Sequence, residues 1–193
     1  MQRLIFATNN KHKVDEVRAA LGSQVEVIPM EEAGLQGEIP ETADTLQGNA
    51  LQKAEWVWQR THADCFADDT GLEVDALNGA PGVFSARYAG DHCSFDDNID
   101  KLLAALGGIE NRKAHFRTVI CLIKNGKANF FEGRVDGQIL PERHSNGRGF
   151  GYDPLFLPDH FAVSFAEMPL EVKNTISHRG IAVKKLKDYL LNY

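Results

Sequence analysis

Asp68 and Asp69 stand side by side after Cys65-Phe66-Ala67 and before Thr70-Gly71. The apolar run predicts a short buried strand over 65–67 that delivers two acids to the edge of a sheet. Adjacent carboxylates repel, so a metal cation, a water to deprotonate, or plain solvent must accommodate them. Taken alone, the pair is as readily a solvated strand end as a metal or base site. Thr70 places a hydroxyl beside the acids.

Three other stretches carry residues that could do chemistry. Thr8-Asn9-Asn10-Lys11-His12-Lys13 sits between a strand-like run and a helical pattern. Amides at a helix N-terminus favour an anion, and Lys13 adds charge one turn in. By itself the stretch reads first as an asparagine-capped helix with surface lysines. In Gly149-Phe150-Gly151-Tyr152-Asp153-Pro154, an aromatic lies in a permissive backbone. It suits stacking on a base while Asp153 and the backbone address the base edge, or simply a glycine-rich turn with a packed Phe. That glycine-rich run begins at Asn146-Gly147-Arg148. Ser177-His178-Arg179-Gly180 puts two potential cations in a first helical turn, against the helix dipole. A broken local rule there points to a nearby anion or electron-rich ligand edge, although a solvated His-Arg pair costs little. Lys173, just upstream, is placed to serve the same ligand or water. Asn49 and Lys53 are four apart on one helical face. Together these parts are what a magnesium-nucleotide site requires.

The elements that must hold them read as alternating strand and helix. Leu4–Ala7 predicts a strand, Lys11–Leu21 a helix with Val14, Val17 and Leu21 inward, and Val25–Ile28 a second strand. Residues 29–43 read as loop. A long helix starts near Asp44, and Phe95–Leu106 is an amphipathic helix stopped by Gly107-Gly108. Phe116–Ile123 and Ala128–Val135 form a hairpin about Asn125-Gly126, a type I′ signal. A final helix starts near Ser177. A hairpin inside a strand-helix-strand chain predicts an α/β fold with a mixed sheet.

The 193 residues suffice for one domain or two closely packed lobes, and no linker separates independent domains, so 1–193 reads as a single domain. The net charge of −6 argues against nucleic-acid binding. Cys65, Cys93 and Cys121 are scattered, without CxxC spacing, which predicts neither a disulfide framework nor a zinc site and suits a cytoplasmic protein. The apolar start, Met1–Ala7, is too short for a membrane span, and no membrane partner is expected.

These blocks, in this order, resemble the inosine/xanthosine triphosphate pyrophosphatase family. The likeness rests on Thr8-x-Asn10-x-x-Lys13 and on Ala67-Asp68-Asp69-Thr70-Gly71-Leu72 with Gly79–Tyr88. It rests equally on Gly149–Pro154 and Ser177–Gly180, so that it spans residues 8–180. The resemblance implies a mixed twisted β-sheet flanked by helices, two lobes around a central nucleotide-binding cleft, and a homodimer. It implies Mg²⁺-dependent hydrolysis of non-canonical purine nucleoside triphosphates (ITP, dITP, XTP) to monophosphate and pyrophosphate, keeping them out of DNA and RNA.

The residue roles it implies are these. Thr8 through Lys13 (Asn9, Asn10, Lys11 and His12 included) hold the triphosphate, and Lys53 adds positive charge. Glu41 and Asp69 bind metal, with Asp69 also the base for water and Asp68 in support. Thr70 contacts substrate. Phe150, Gly151, Tyr152, Asp153, Lys173, His178 and Arg179 hold base and sugar. Two positions depart from the family pattern. Thr70 stands where serine is usual, adding a methyl and a stiffer χ1. Gln47-Gly48 stands where an acid commonly precedes Asn-Ala. The rival readings are a pyrophosphatase for modified pyrimidine nucleotides and a catalytically silent nucleotide-binding protein.

Overall fold

A computed structural model describes residues 2–145 and 149–192. Asn146, Gly147 and Arg148, the start of the glycine-rich run, lie outside the described residues. The elements, in chain order, are β1 (Gln2–Phe6), α1 (Lys11–Leu21), β2 (Val25–Pro29), α2 (Leu46–Thr61), β3 (Cys65–Val74), β4 (Pro81–Gly82), α3 (Phe95–Ala105), β5 (Lys113–Lys124), β6 (Lys127–Ile139), β7 (Phe156–Pro158), α4 (Leu170–Ile176) and α5 (His178–Asn192). The described strands form a seven-stranded sheet in the order β2-β1-β3-β5-β6-β7, with β4 paired to β3. β1 runs parallel to β2 and β3, whereas β3–β4 and β6–β7 are antiparallel. The mixed α/β sheet expected from the sequence is therefore present.

The signals that end elements act as the sequence predicts. Asn10 caps α1, its side chain accepting from the amides of His12 and Lys13. Beyond those signals, a reciprocal capping box of Ser94 and Asp97 starts α3. Asn125 and Gly126 both have positive φ, 51° and 74°, as a type I′ hairpin turn requires. The three cysteines are free thiols. Among the described residues no helix is long and apolar enough to cross a membrane.

One expectation fails. The strand after Cys65 does not stop at the acid pair but runs ten residues to Val74 and lies inside the sheet order. Asp68 and Asp69 are 2% and 7% exposed, so they behave as buried strand residues. The reason is neutralisation: partners from three helices meet them, so the backbone need not leave the sheet to hydrate them. β3 pairs with β1 up to Phe66 and with β4 from Leu72, and the acids fall on the stretch between those pairings.

The chain divides into two compact units. One comprises Met1–Asp69, Thr118–Gly133 and Asn174–Tyr193; the other comprises Thr70–Arg117 and Arg134–Lys173. In the first, Leu4, Phe6 and Phe66 pack with Val14, Val17 and Leu21 of α1 and Ala182, Val183, Leu186 and Leu190 of α5. The rings of Phe6 and Phe66 stack with centroids 4.4 Å apart. The second unit is built around Phe116, Phe156 and Phe165, whose centroids lie 4.8 to 6.2 Å apart.

Gly133 of β6 lets the first turn of α5 come close. A Cβ there would land on the carbonyl oxygen of His178 and 2.7 Å from the amide nitrogen of Ala182. Both are backbone atoms with little freedom to yield. Gly133→Ala is therefore expected to destabilise the protein by about 2 kcal/mol, the usual scale of overpacking. For a chain of this size that lowers the thermal midpoint by roughly 4–8 °C. An unchanged midpoint in a thermal melt would contradict this packing of α5 on β6.

Candidate active site

The two adjacent carboxylates point to different partners. Asp68 accepts from Lys13 Nζ through Oδ1 at 2.9 Å and from Arg179 Nε through Oδ2 at 3.0 Å. Asp69 accepts from Lys53 Nζ through Oδ1 at 2.9 Å and from Asn49 Nδ2 through Oδ2 at 3.2 Å. Successive strand residues face opposite sides, which is why two neighbours can be served by different helices. Lys13 comes from α1, Arg179 from α5, and Asn49 with Lys53 from one face of α2, as their four-residue spacing predicts.

This difference sets their proton affinities apart. Burial would raise the pKa of Asp68, but Lys13 and Arg179 overcome it and hold the carboxyl well below the usual range. At Asp69 burial dominates over the pull of Lys53, and the carboxyl is held above its ordinary value. Burial would lower Lys53, yet Asp69 and Glu41 outweigh it and keep the ammonium firmly protonated. Burial also lowers Lys13, against the attraction of Asp68. One acid of the pair is thus fixed as a carboxylate, and the other is the better proton acceptor.

Glu41 joins the cluster through Lys53, whose Nζ donates to Glu41 Oε1 at 2.7 Å. The segment that carries Glu41 is tied back onto α2. Thr42 N donates to Gln52 Oε1 and Gln52 Nε2 to Thr42 Oγ1, both at 2.9 Å, and Ala43 N donates to Asn49 Oδ1 at 2.9 Å. The departure at Gln47-Gly48 gains a local reason here. A Cβ on Gly48 would sit 2.6 Å from the Cβ of Ala43, so a side chain there would push the Glu41 segment away from α2.

Sequence reasoning missed Glu16. It lies buried on α1 and accepts from Arg179 Nη1, so the Arg179 guanidinium is shared between Glu16 and Asp68. The signal was available: an acid stands within the apolar stripe Val14, Val17 and Leu21 of a helix that also carries Lys13. The pairing also explains the two cations in the first turn of α5. The anions that Arg179 answers are the protein's own. His178 is buried beside it. Asn49, on the same helical face as Lys53, donates to Asp69.

The amides of the Thr8–Lys13 turn are partly used by the turn itself. Asn10 N donates to Thr8 Oγ1 at 3.1 Å, and His12 N and Lys13 N donate to Asn10 Oδ1 at 3.0 and 3.3 Å. Asn9, Lys11 and His12 are exposed. Thr8, Asn9 and Lys11 also line a cavity of about 560 Å³ whose other walls include Arg18, Leu35 and Gly37.

In the second unit the Gly149–Asp153 loop closes on its own acid. Asp153 Oδ2 accepts from Phe150 N at 3.0 Å and from Lys173 Nζ at 2.7 Å. A Cβ on Gly149, whose φ is +79°, would fall 2.9 Å from the Asp153 carboxylate, so glycine is required there. Lys173 Nζ lies 5.4 Å from the centroid of the half-buried Phe150 ring and 5.5 Å from that of Phe165. Tyr152 is buried, and its hydroxyl donates to Ser85 O at 2.9 Å, so it anchors the loop. Gly151 takes a left-handed conformation with φ of 60°. Thr70 is half-buried at the start of this unit's part of β3.

Among the described residues no three His, Cys, Asp or Glu side chains gather as a metal-holding group. Glu41 and Asp69 nevertheless converge on one cationic atom, the Lys53 ammonium. Two hard carboxylates with phosphate oxygens and water completing the shell is the usual donor set for Mg²⁺. The charges agree. Lys13, Lys53 and Arg179 face Glu16, Glu41, Asp68 and Asp69, three cations against four carboxylates. A polyanion approaching this cluster needs additional positive charge. The residues fit a divalent cation.

A family model described as the Ham1 family matches residues 4–189. A dITP/XTP pyrophosphatase of Porphyromonas gingivalis is 56% identical over 192 residues, covering 99% of this chain and 98% of that protein. A dITP/XTP pyrophosphatase of Flavobacterium johnsoniae is 52% identical over 188 residues, covering 97% of each. The solved structure of a HAM1 protein from Coxiella burnetii superposes with a TM-score of 0.90 at 36% identity, over 100% of both chains.

Removing one member of a buried ion pair leaves the others uncompensated. Asp68→Asn is expected to destabilise the metal-free protein at pH 7 by about 3 kcal/mol. Because the folded carboxyl is depressed, its contribution is complete above the unfolded-chain value of about 4 and fades as pH falls through the lower folded value. The wild-type advantage over Asp68→Asn in urea unfolding should therefore be constant from neutrality to about pH 5 and shrink below about pH 4. A difference that grows with acidity would refute the assignment of Asp68 as a permanent carboxylate.

Proposed function

This chain belongs to the Ham1 family, and we propose that it is a nucleoside triphosphate pyrophosphohydrolase acting on ITP, dITP and XTP. The products are the nucleoside monophosphate and pyrophosphate. The observation that carries the reading is the inequality of Asp68 and Asp69: one carboxylate is locked by Lys13 and Arg179, and the other lies beside Lys53, which it shares with Glu41. The names of the relatives, dITP/XTP pyrophosphatase at 56% and 52% identity, agree with it.

In this mechanism water attacks the α-phosphorus in line and pyrophosphate leaves. Asp69 orients the water and takes its proton. Asp68 stays ionised and fixes Lys13 and Arg179. Lys13 and Lys53 neutralise charge that builds on the leaving pyrophosphate. Glu41 and Asp69 would hold Mg²⁺, which when bound neutralises phosphate oxygens and lowers the charge that repels a nucleophile. Thr8, Asn9, Asn10, Lys11 and His12 are assigned to the triphosphate. Thr70 is assigned to substrate contact.

Phe150, Gly151, Tyr152, Asp153, Lys173, His178 and Arg179 are assigned to the base and sugar. Within that set the roles differ. Phe150 offers a face for stacking, and Asp153 with Lys173 offers an acceptor and a donor for a polar edge. Tyr152 serves by anchoring the loop to Ser85. The Arg179 guanidinium pairs with Asp68 and Glu16 and the Lys173 ammonium with Asp153, and Lys173, His178 and Arg179 are the candidate donors to a 6-keto group. A site whose donors expect a keto oxygen disfavours the 6-amino group of adenine by several powers of ten. Action as a single functional unit, as a homodimer and in the cytoplasm, belongs to the same reading.

Pyrophosphate release from ITP, dITP, XTP, GTP, ATP and dUTP, measured with Mg²⁺ at mildly alkaline pH, tests the proposal. The first three should be turned over at least ~100-fold faster than the others in kcat/KM. Asp69→Asn should lower kcat on ITP by roughly 10²- to 10⁴-fold, the range for loss of a general base. Near-normal turnover by that variant would sink the assignment of Asp69. A preference for dUTP would favour the pyrimidine alternative.

A further inference from the structure

Lys53 is an unusual residue to find between two carboxylates assigned to a metal. Its ammonium lies 2.7 Å from Glu41 Oε1 and 2.9 Å from Asp69 Oδ1, and the residue is only 4% exposed. The point on which both carboxylates converge is already filled by a cation. A divalent ion and an ammonium cannot share it, because like charges at such separations repel strongly in a buried setting. The other two cations of the cluster are engaged elsewhere, Lys13 with Asp68 and Arg179 with Asp68 and Glu16.

We propose that Lys53 is a resident counter-cation that excludes a divalent metal from Glu41 and Asp69 until a polyphosphate draws the ammonium away. The inference rests on the reading of Glu41 and Asp69 as the metal ligands. Three features of the chain suit the exchange. A lysine is a point charge on a flexible four-carbon stem, so its ammonium can move from carboxylate to phosphate without losing charge compensation. Asn49 holds the second oxygen of Asp69 independently of Lys53, so the carboxylate keeps its orientation when the ammonium leaves. The segment that carries Glu41 is held by Gln52 and Asn49 through Thr42 and Ala43, so its backbone stays on α2.

Metal binding and polyphosphate binding are then coupled, and by linkage each strengthens the other. In the metal-free cluster each carboxylate is paired with a cation of the protein, and a divalent ion is taken up only together with the anion. Such a device keeps free metal from occupying the acids unproductively. It also gives Lys53 two successive roles, first on the acids and then on the phosphates.

Mn²⁺ binding, followed by electron paramagnetic resonance and water proton relaxation, tests the exchange without any turnover. Wild-type protein should bind Mn²⁺ alone at least tenfold more weakly than in the presence of an α,β-imido analogue of ITP. Lys53→Gln, which keeps hydrogen bonds but not charge, should bind Mn²⁺ alone at least tenfold more tightly than wild type. Lys53→Met serves for the same comparison if the glutamine variant does not fold. Wild type that binds Mn²⁺ alone as tightly as with the analogue overturns the proposal whatever the variants do.

Glu41→Gln separates the two layers of the argument. If it weakens Mn²⁺ binding with the analogue, while neither Lys53 variant gains affinity for Mn²⁺ alone, the counter-cation role is wrong and the metal-ligand reading stands. If Glu41→Gln leaves Mn²⁺ binding unchanged, the metal-ligand reading falls and takes the counter-cation role with it.

Discussion

Everything in the charged cluster follows from burying two adjacent carboxylates in the middle of a strand. A buried, uncompensated carboxylate costs several kcal/mol or becomes protonated. β3 escapes that outcome because α1, α2 and α5 each bring a partner to it. The placement of those helices is therefore an electrostatic requirement as well as a matter of apolar packing. Lys13 sits in the first turn of α1, Lys53 two turns into α2, and Arg179 at the start of α5. Each helix is seated by its own contacts: the asparagine cap of α1, the Gly48 approach on α2, and the Gly133 approach under α5.

The same requirement explains what was legible in the sequence and what was not. Helices α1, α2, α3 and α5 were legible because apolar periodicity and capping residues are local signals, and the β5–β6 hairpin was legible because Asn125-Gly126 needs positive φ at both positions. The length of β3 was not, because its acids look like a strand end to any rule that sees only β3. Their compensation lies 16 to 111 residues away in sequence. Glu16 was missed for the same reason. Its partner, Arg179, stands 163 residues further along, and only the fold makes them neighbours. Short elements such as β4, β7 and α4 carry too few residues for a period to emerge.

Candidate site residues divide along the same line. The Asn49–Lys53 spacing on α2 could be read directly, because i and i+4 face one way on any helix. The division of labour between Asp68 and Asp69 could not, because it depends on which helix each side of the strand meets. Arg179 illustrates the limit from the other direction. Its position against the helix dipole correctly signalled an anion nearby, yet the anions are Asp68 and Glu16. A motif gives the residue type and leaves open whether the partner is a ligand or the protein itself.

A buried ion network of this size is weak as a device for stability. Replacing such networks with apolar side chains of similar volume is often neutral or stabilising by about 1–4 kcal/mol. The first unit already has an apolar core, from Leu4 and Phe6 of β1 to Leu186 and Leu190 of α5, that does not depend on these charges. Packing alone therefore gives no reason to keep three cations and four carboxylates beside that core. A function that needs charges poised for exchange does give one. Asp69 is held by Asn49 as well as Lys53, and the backbone beside Glu41 is tied to α2, so the network has a joint at which one cation can be traded for another while its frame persists. The cost in fold stability and the capacity to accept a metal and a polyanion are two consequences of the same buried acids.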